Sequence, residues 1–318
     1  MKTKTSSACP VLEEQDVNYV RSLVEKGGPD SVDYLPFFSV LEHLDEQGFG
    51  EIREILRPIM NKETMIGFAY AKPYGYAGDF QIIDYMYQQK VSDNPRYSKW
   101  DVWYHEQHAA KAVRNRKEFF KNVLEELDAT TDNPKNVLVL GCGPATDVYE
   151  FLNAYPDSKL HFDLIDLDQR AIDYAREKNA RFLDRLNFIR MNVLRYQTHK
   201  FYDLIWSAGL FDYFKEKHFI YLLKKYQAYV KDGGEMIIGN FSDQNPSTKG
   251  MHALLEWHLN QRSPHDLVRY ALEAGVRKDN VTVDKEPLEV NLFLRVKKPS
   301  NPFKNAKTFI SWLEINNN

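Results

Sequence analysis

The residues with the clearest chemical content lie in VLVLGCGPATD, residues 137–147. Four apolar residues lead into Gly141-Cys142-Gly143, then Pro144, and the chain is ready to enter a helix. Glycines at a strand-to-helix turn let a ligand approach the backbone, and the helix start offers free N–H groups. A dinucleotide-binding turn would place a third glycine where Thr146 stands. Asp147 follows, and a carboxylate at the start of a helix repels phosphate. Downstream, HFDLIDLDQRAIDYA places Asp166 at a strand end, where it can accept both hydroxyls of a ribose, with Leu167 against the base. Helix capping is the ordinary alternative for Asp166 and Asp168. The set suits a nucleoside that carries an ammonium group and no phosphate.

A second group lies nearer the start of the chain. FAYAKPYGYAGDFQIIDYMY contains Pro73, Gly75 and Gly78, which mark a structured loop, with Tyr74, Tyr76 and Asp79 bringing polar tips into it. This loop reads either as a lid whose tyrosines meet acceptor or cofactor, or as packing. In WYHEQHAAKAVRNR, His105 and His108 are three apart, not four as in the zinc protease pattern, so no metal site is expected. Tyr104, His105 and Arg114 are candidates to position an acceptor or take its proton, and Arg114 or Arg116 could pair with a carboxylate. Ordinary salt bridges and hydrogen bonds are the alternative. Late in the chain, Trp257, His258 and Arg262 are further candidates for an acceptor wall.

Two kinds of element must hold these residues. Over about 12–128 the apolar spacing is helical, with a long helix expected over 98–127 through Trp103, Ala110, Val113, Phe120, Leu124 and Leu127. Then NVLVL, LHFDLID, LNFIRMN, YDLIWSAG and GEMIIGNF read as buried strands. Helices over 147–153, from 168–176 onward, and over 218–230 alternate with them. That rhythm predicts an α/β fold with an open, mostly parallel sheet. A helix near 265–274 precedes NVTVDKE and VNLFLRVKK, which predict an antiparallel edge hairpin. The expected domains are a helical one over 1–130 and an α/β one over 131–318, with residues 1–10 a loose tail.

In VLVLGCGPATD, LIDLDQRAIDYA, NFIRMNV and YDLIWSAGLFDYF, over roughly 136–298, the chain resembles the class I S-adenosylmethionine-dependent methyltransferases. The resemblance implies a Rossmann-like methyltransferase fold with a seven-stranded sheet, and S-adenosylmethionine as cofactor. It places Gly141, Cys142, Gly143 and Pro144 against the methionine half of the cofactor, and Asp166 on the ribose. Asn192 falls near the adenine amine, with Val193 a further cofactor contact, and Ser207, Ala208, Gly209 and Leu210 face the sulfonium. Val139 stands where the family often has an acid, and Ala145 near its usual third glycine. The ammonium contact then falls to backbone carbonyls, helped by Asp147 or by an N-terminal residue. Residues 72–79, with GCGPA and EVNLFLRVKK, are similar to bacterial methyltransferases that make the methyl ester of 3-hydroxypalmitic acid. That narrower likeness implies a small-molecule acceptor. From the residues of the loop and helix themselves, Tyr74 is expected as a cofactor contact and Tyr76, Tyr104, His105 and Arg114 as catalytic candidates. Carboxyl O-methylation of a small or fatty acid is the expected reaction. N-methylation of an amino compound, a non-catalytic cofactor binder and a nicotinamide dehydrogenase are the alternatives; Thr146 and Asp147 disfavour the last.

Composition bounds the rest. The 318 residues are 43% hydrophobic and 27% charged, enough for a substantial core. A net charge of −3 gives no reason to expect nucleic acid as partner. No stretch is apolar for long enough to insert in a membrane, and MKTKTSSACPVLEEQD has no apolar core of a secretory signal. With only Cys9 and Cys142, a reducing cytoplasm is the expected setting. A homodimer is left open.

Overall fold

The computed structural model describes residues 12–130 and 133–300, so the expected N-terminal tail lies outside the described residues. The chain divides into two compact units. One holds the described residues up to Glu118 together with Gln244–Leu259 and Glu286–Val290. The other holds Phe119–Asp243, Asn260–Lys285 and the described residues from Asn291. The division is thus not a single cut near 130: two later segments join the first unit.

The first unit is helical. It contains α1 (Glu14–Glu25), α2 (Tyr34–His43), α3 (Glu46–Ile55), α4 (Met65–Ala71), α5 (Phe80–Gln88) and α6 (Ser98–Glu106). The division between units falls inside the next helix, α7 (His108–Ala129). The long helix expected over 98–127 is therefore two helices. Gln107 between them takes an extended backbone, φ −64° and ψ 142°. Phe37 fills the core, with Trp100 and Trp103 rings 5.7 and 5.0 Å from its own. Asp101 is buried and accepts the Met65 and Ser92 amides at 2.7 and 2.8 Å, tying α6 to the start of α4 and to the segment before α6.

The second unit is a three-layer α/β structure. Its strands are β1 (Lys135–Leu140), β2 (Leu160–Asp166), β3 (Leu186–Arg190), β4 (Tyr202–Ala208), β5 (Val230–Phe241), β6 (Val281–Lys285) and β7 (Asn291–Lys297). The helices are the rest of α7, then α8 (Thr146–Ala154), α9 (Gln169–Lys178) and α10 (Glu216–Gln227). Two more follow β5: α11 (Thr248–Leu255), in the helical unit, and α12 (Pro264–Glu273), in this one. The sheet order is β3-β2-β1-β4-β5-β7-β6. Pairings from β3 to β5 are parallel, and β7 runs antiparallel to both β5 and β6. The hairpin is present, but its second strand lies inside the sheet and its first at the edge.

Side chains alternate between two cores, as the strand period of two requires. Val137 and Val139 of β1 face α8, α9 and the latter half of α7, along with Phe162, Leu164 and Trp206. Leu138 and Leu140 face α10 and α12, along with Ile205, Met236 and Ile238. On the first face, Phe120 stacks on Trp206 with centroids 4.4 Å apart and planes 6° apart, and Phe119 stacks on Phe293 at 3.8 Å. Helix 218–230 was expected to run into what is strand β5; α10 stops at Gln227 instead. The β4–β5 register shifts between Tyr202 and Leu204. A Cβ on Gly234 would come 2.7 Å from the Asp203 carbonyl, so glycine permits the close approach there.

Candidate functional site

The strand order reverses between β1 and β4, and a ligand cleft is expected beyond the carboxyl ends of the strands at such a point. The turn after β1 is built there. Gly141 and Gly143 take φ of +70° and +51°, conformations that cost a side chain strain. The Gly141 and Cys142 amides donate to the Ile165 carbonyl at 2.8 and 2.9 Å, locking the turn to the end of β2. The Gly143 amide donates to Asp166 Oδ2 at 2.9 Å, and the Asp168 amide to Oδ1 at 3.0 Å.

Each carboxylate oxygen of Asp166 retains a lone pair after these bonds. Burial pushes its carboxyl above the usual aspartate range, while the Asp168, Gly143 and Leu167 amides pull the other way. Asp168 does cap α9, accepting from the Arg170 amide at 3.0 Å. The two aspartates therefore do different work: one ends the strand and braces the glycine turn, the other starts the helix. Leu167, between them, is 62% exposed, an apolar side chain left uncovered beside a carboxylate.

At Gly143 a Cβ would meet nothing within 4 Å, whereas at Gly141 it would press on Leu210 at 3.2 Å. The turn is thus open on the Gly143 side and closed on the other by the loop after β4. Ala145 at the N-cap of α8 has φ +47° and supplies no side-chain cap. Asn179 reaches back to the Ala145 carbonyl at 3.4 Å, and Lys178 to Thr146 Oγ1 at 2.8 Å. Asp147 Oδ1 accepts the Val148 amide at 2.8 Å. Cys142 is buried, and burial, with Asp166 and Asp147 nearby, pushes its thiol well above the usual value.

The other strand ends join this turn. The Met191 amide donates to the Asp166 carbonyl at 2.9 Å, which ties the β3 exit to β2. Asn192 then turns the chain: its Oδ1 accepts the Leu194 amide at 2.8 Å and its carbonyl accepts from Arg195 and Tyr196. Val193 is buried in the core beneath. Ser207 is buried and donates to the Leu140 carbonyl at 2.9 Å, bonding β4 to β1 beside the turn. Ala208 and Gly209 are half-buried, and Gly209 has φ +82°. Pro144 is buried. Gly141, Cys142, Gly143, Asp166, Asn192 and Ser207 are so brought into one bonded set of strand ends. Ala145, Asn179 and Leu210 belong to it as well. Of these, Asn179 is the one that no spacing marks, because a side chain that braces a backbone carbonyl carries no motif.

Arg262 proves to be a pillar of this unit. It is buried, and its Nη1 donates to the Phe211 and Asn260 carbonyls at 3.2 and 3.0 Å and to Asn240 Oδ1 at 2.5 Å. Its Nη2 donates to the Phe214 carbonyl. The guanidinium lies 4.6 Å from the Phe219 ring centroid.

The remaining candidates belong to the helical unit. Tyr74 is half-buried with its ring 4.5 Å from that of Phe80, and Tyr76 is 38% exposed. Asp79 is the N-cap of α5, accepting the Gln81 and Ile82 amides at 2.9 Å each. Tyr104 is enclosed, its hydroxyl donating to Met86 Sδ at 3.7 Å, and burial pushes its pKa up. His105 is buried with Nε2 bonded to the Lys90 carbonyl at 2.8 Å. Burial pulls its pKa below the usual histidine value; Arg114 acts the same way, and the Lys90 carbonyl opposes it. Arg114 Nη2 donates to the His105 carbonyl at 2.8 Å, and its Nη1 has no partner among the described residues. Trp257 is buried, and the His258 ring lies 4.3 Å from that of His252, tilted by 36°. Among the described residues, no group of three or more His, Cys, Asp or Glu is placed to hold a metal ion. No helix of the described residues is long and apolar enough to cross a membrane.

Comparison with known proteins bears on this geometry. Residues 137–234 match the family described as a methyltransferase domain. Two curated proteins of Ilyobacter polytropus are similar: malonyl-[acyl-carrier protein] O-methyltransferase 2, 28% identical over 137 residues, and malonyl-[acyl-carrier protein] O-methyltransferase 1, 28% over 138. These matches take in 42% of this chain and 51% and 50% of those proteins, so the chain spans about half the length of the curated relatives it matches. Among solved structures, a possible exported protein from Bordetella parapertussis superposes with a TM-score of 0.60 at 15% identity, covering 94% of this chain and all (100%) of that one. The CMeT domain of the citrinin polyketide synthase superposes at 0.53 with 12% identity, covering 80% of this chain and 70% of that one. At these identities the superpositions speak for the fold.

Proposed function

Because the chain carries a class I S-adenosylmethionine-dependent methyltransferase domain, we propose that it methylates a carboxylate oxygen of a small or fatty acid. The observation that carries the cofactor assignment is the pairing of Asp166 with the open Gly143 turn. Asp166 presents spare lone pairs to a ribose, Leu167 an exposed apolar surface to a base, and Gly143 leaves room for the methionine half. The carboxylate of Asp147 in the first turn of α8 favours a ligand without phosphate. When bound, the cofactor supplies a methyl group on a positively charged sulfur.

What this chain must add is placement and exclusion of water. A carboxylate arrives ionised at neutral pH and needs no base to take a proton. The titratable groups of the glycine turn fit that case. Asp166 is engaged by two backbone amides, and the Cys142 thiol is held protonated. The curated relatives are named for O-methylation of a malonyl-[acyl-carrier protein], which supports an ester product. Tyr76 and Arg114 are the groups of the helical unit we assign to the acceptor, with Tyr74 as a cofactor contact. The two-cysteine composition supports a reducing, cytoplasmic setting.

The test is transfer of labelled methyl to a panel of carboxylic acids of increasing length, 3-hydroxy acids included, beside a panel of amines. An ester product releases labelled methanol in alkali. Label that survives alkali would mean N-methylation. Binding of S-adenosylhomocysteine without turnover of any acceptor would mean a non-catalytic binder.

A further inference from the structure

Arg116 is 5% exposed and makes no hydrogen bond or ion pair among the described residues; its Nε is fully enclosed. An ionised group taken from water without a partner is costly, and folds normally give a buried guanidinium a carboxylate or several carbonyls. Arg262 of the same chain shows the ordinary solution, with its donors spent on carbonyls and an amide oxygen. Arg116 departs from it.

Its surroundings in the helical unit do not supply the missing charge. Asn115, the preceding residue, donates to Glu286 Oε2 at 2.6 Å. That carboxylate also accepts the Leu288 and Val290 amides at 2.9 and 2.8 Å, so the acid bonded to the neighbour of Arg116 is engaged elsewhere. Lys117, the following residue, lies 3.4 Å from Glu118 and 5.4 Å from the Tyr87 ring centroid. Arg114, two residues away, spends its Nη2 on the His105 carbonyl, so the two arginines are not one clamp on a single carboxylate.

We propose that Arg116 is the anchor for the carboxylate of the acceptor, the ligand supplying the counter-charge that the protein withholds. This rests on the carboxyl O-methylation reading and adds to it the residue that selects an acid over its neutral analogues. A guanidinium offers two parallel N–H donors to a carboxylate, and an ester or alcohol of the same shape leaves them unpaired. A resident ion pair would have to be broken for each acceptor; an unpaired arginine is already prepared.

The test uses thermal unfolding and calorimetry on the full chain, with sodium octanoate, methyl octanoate and S-adenosylhomocysteine as probes. Octanoate is expected to raise the Tm of the wild type and methyl octanoate to leave it unchanged. In Arg116→Met the unliganded Tm is expected to hold or rise, because an unpaired buried charge is replaced by an apolar chain. The octanoate shift should vanish and its Kd weaken by about tenfold or more, the loss of a charge-assisted contact. Arg116→Lys, which keeps the charge, should retain part of the shift. The shift from S-adenosylhomocysteine should persist in both variants. Three results would overturn the assignment: no octanoate shift in the wild type; an octanoate shift unchanged in both variants; or loss of the S-adenosylhomocysteine shift alone, which would give the arginine to the carboxylate of the cofactor. Octanoate bound through Arg116 while no acid is ever methylated would defeat the functional reading and with it the acceptor role, leaving Arg116 a carboxylate site only.

Discussion

Two glycine-bearing loops lead into helices, one in each unit, and they end differently. Residues 72–79 deliver the chain to α5 with Asp79 capping it: two amides find a carboxylate in their own loop. Residues 141–145 deliver the chain to α8 with a left-handed alanine at the N-cap and no side-chain cap. In the second loop the carboxylate that braces the turn comes from another strand, and it keeps capacity to spare. A capped helix start is finished structure. An uncapped one braced from outside is left open for the ligand we propose. Both loops look alike in composition, so the difference lies in where the carboxylate stands.

Substitutions can break or sharpen this contrast. Asp166→Ala should weaken S-adenosylhomocysteine by about 100-fold in calorimetry, the loss of two hydrogen bonds to a charged acceptor. An unchanged Kd would remove the ribose assignment. Gly143→Ala should cost about tenfold in the same Kd, since its Cβ would stand in open space that the ligand needs. The strain of a positive φ should lower stability by about 1 kcal/mol as well. Asp79→Ala should cost about 1 kcal/mol in denaturant unfolding and leave the S-adenosylhomocysteine Kd alone.

The smallest effect is in pH. Ribose binding favours the ionised Asp166, whose pKa in the free protein is raised by burial. Affinity should therefore be complete well above that pKa and fall as pH drops through it, with the onset above the range of an ordinary aspartate. The free protein should behave oppositely at this residue. A raised carboxyl pKa penalises the fold above it, and the penalty is relieved as pH falls from the folded pKa toward the unfolded one. A calorimetric pH series on the wild type and Asp166→Asn would separate the two.

Much of the α/β unit is legible in sequence because parallel strands are buried on both faces and appear as uninterrupted apolar runs. LHFDLID coincides with β2 from Leu160 to Asp166. The start of β5 is hidden, since Lys231, Asp232, Gly233 and Gly234 follow Val230 and read as a turn. The break at Gln107 is hidden for another reason. Trp103, Ala110, Val113 and Phe120 keep helical spacing across it, and neither glycine nor proline marks it. Tertiary bonds hold it, among them His105 to the Lys90 carbonyl. In the site, residue type revealed Gly141, Gly143 and Asp166, because each role admits few side chains. Ala145 and Leu210 act through backbone conformation and shape, which many side chains would serve.

The position of β7 carries a consequence for how the polypeptide is made. Among the described residues it is the last strand in chain order, yet it lies between β5 and β6. Until it emerges, β5 presents seven residues of unpaired backbone, from Glu235 to Phe241, to anything nearby. A nascent chain stalled before Asn291 would expose an adhesive edge, and chaperone dependence or insolubility of such truncations follows.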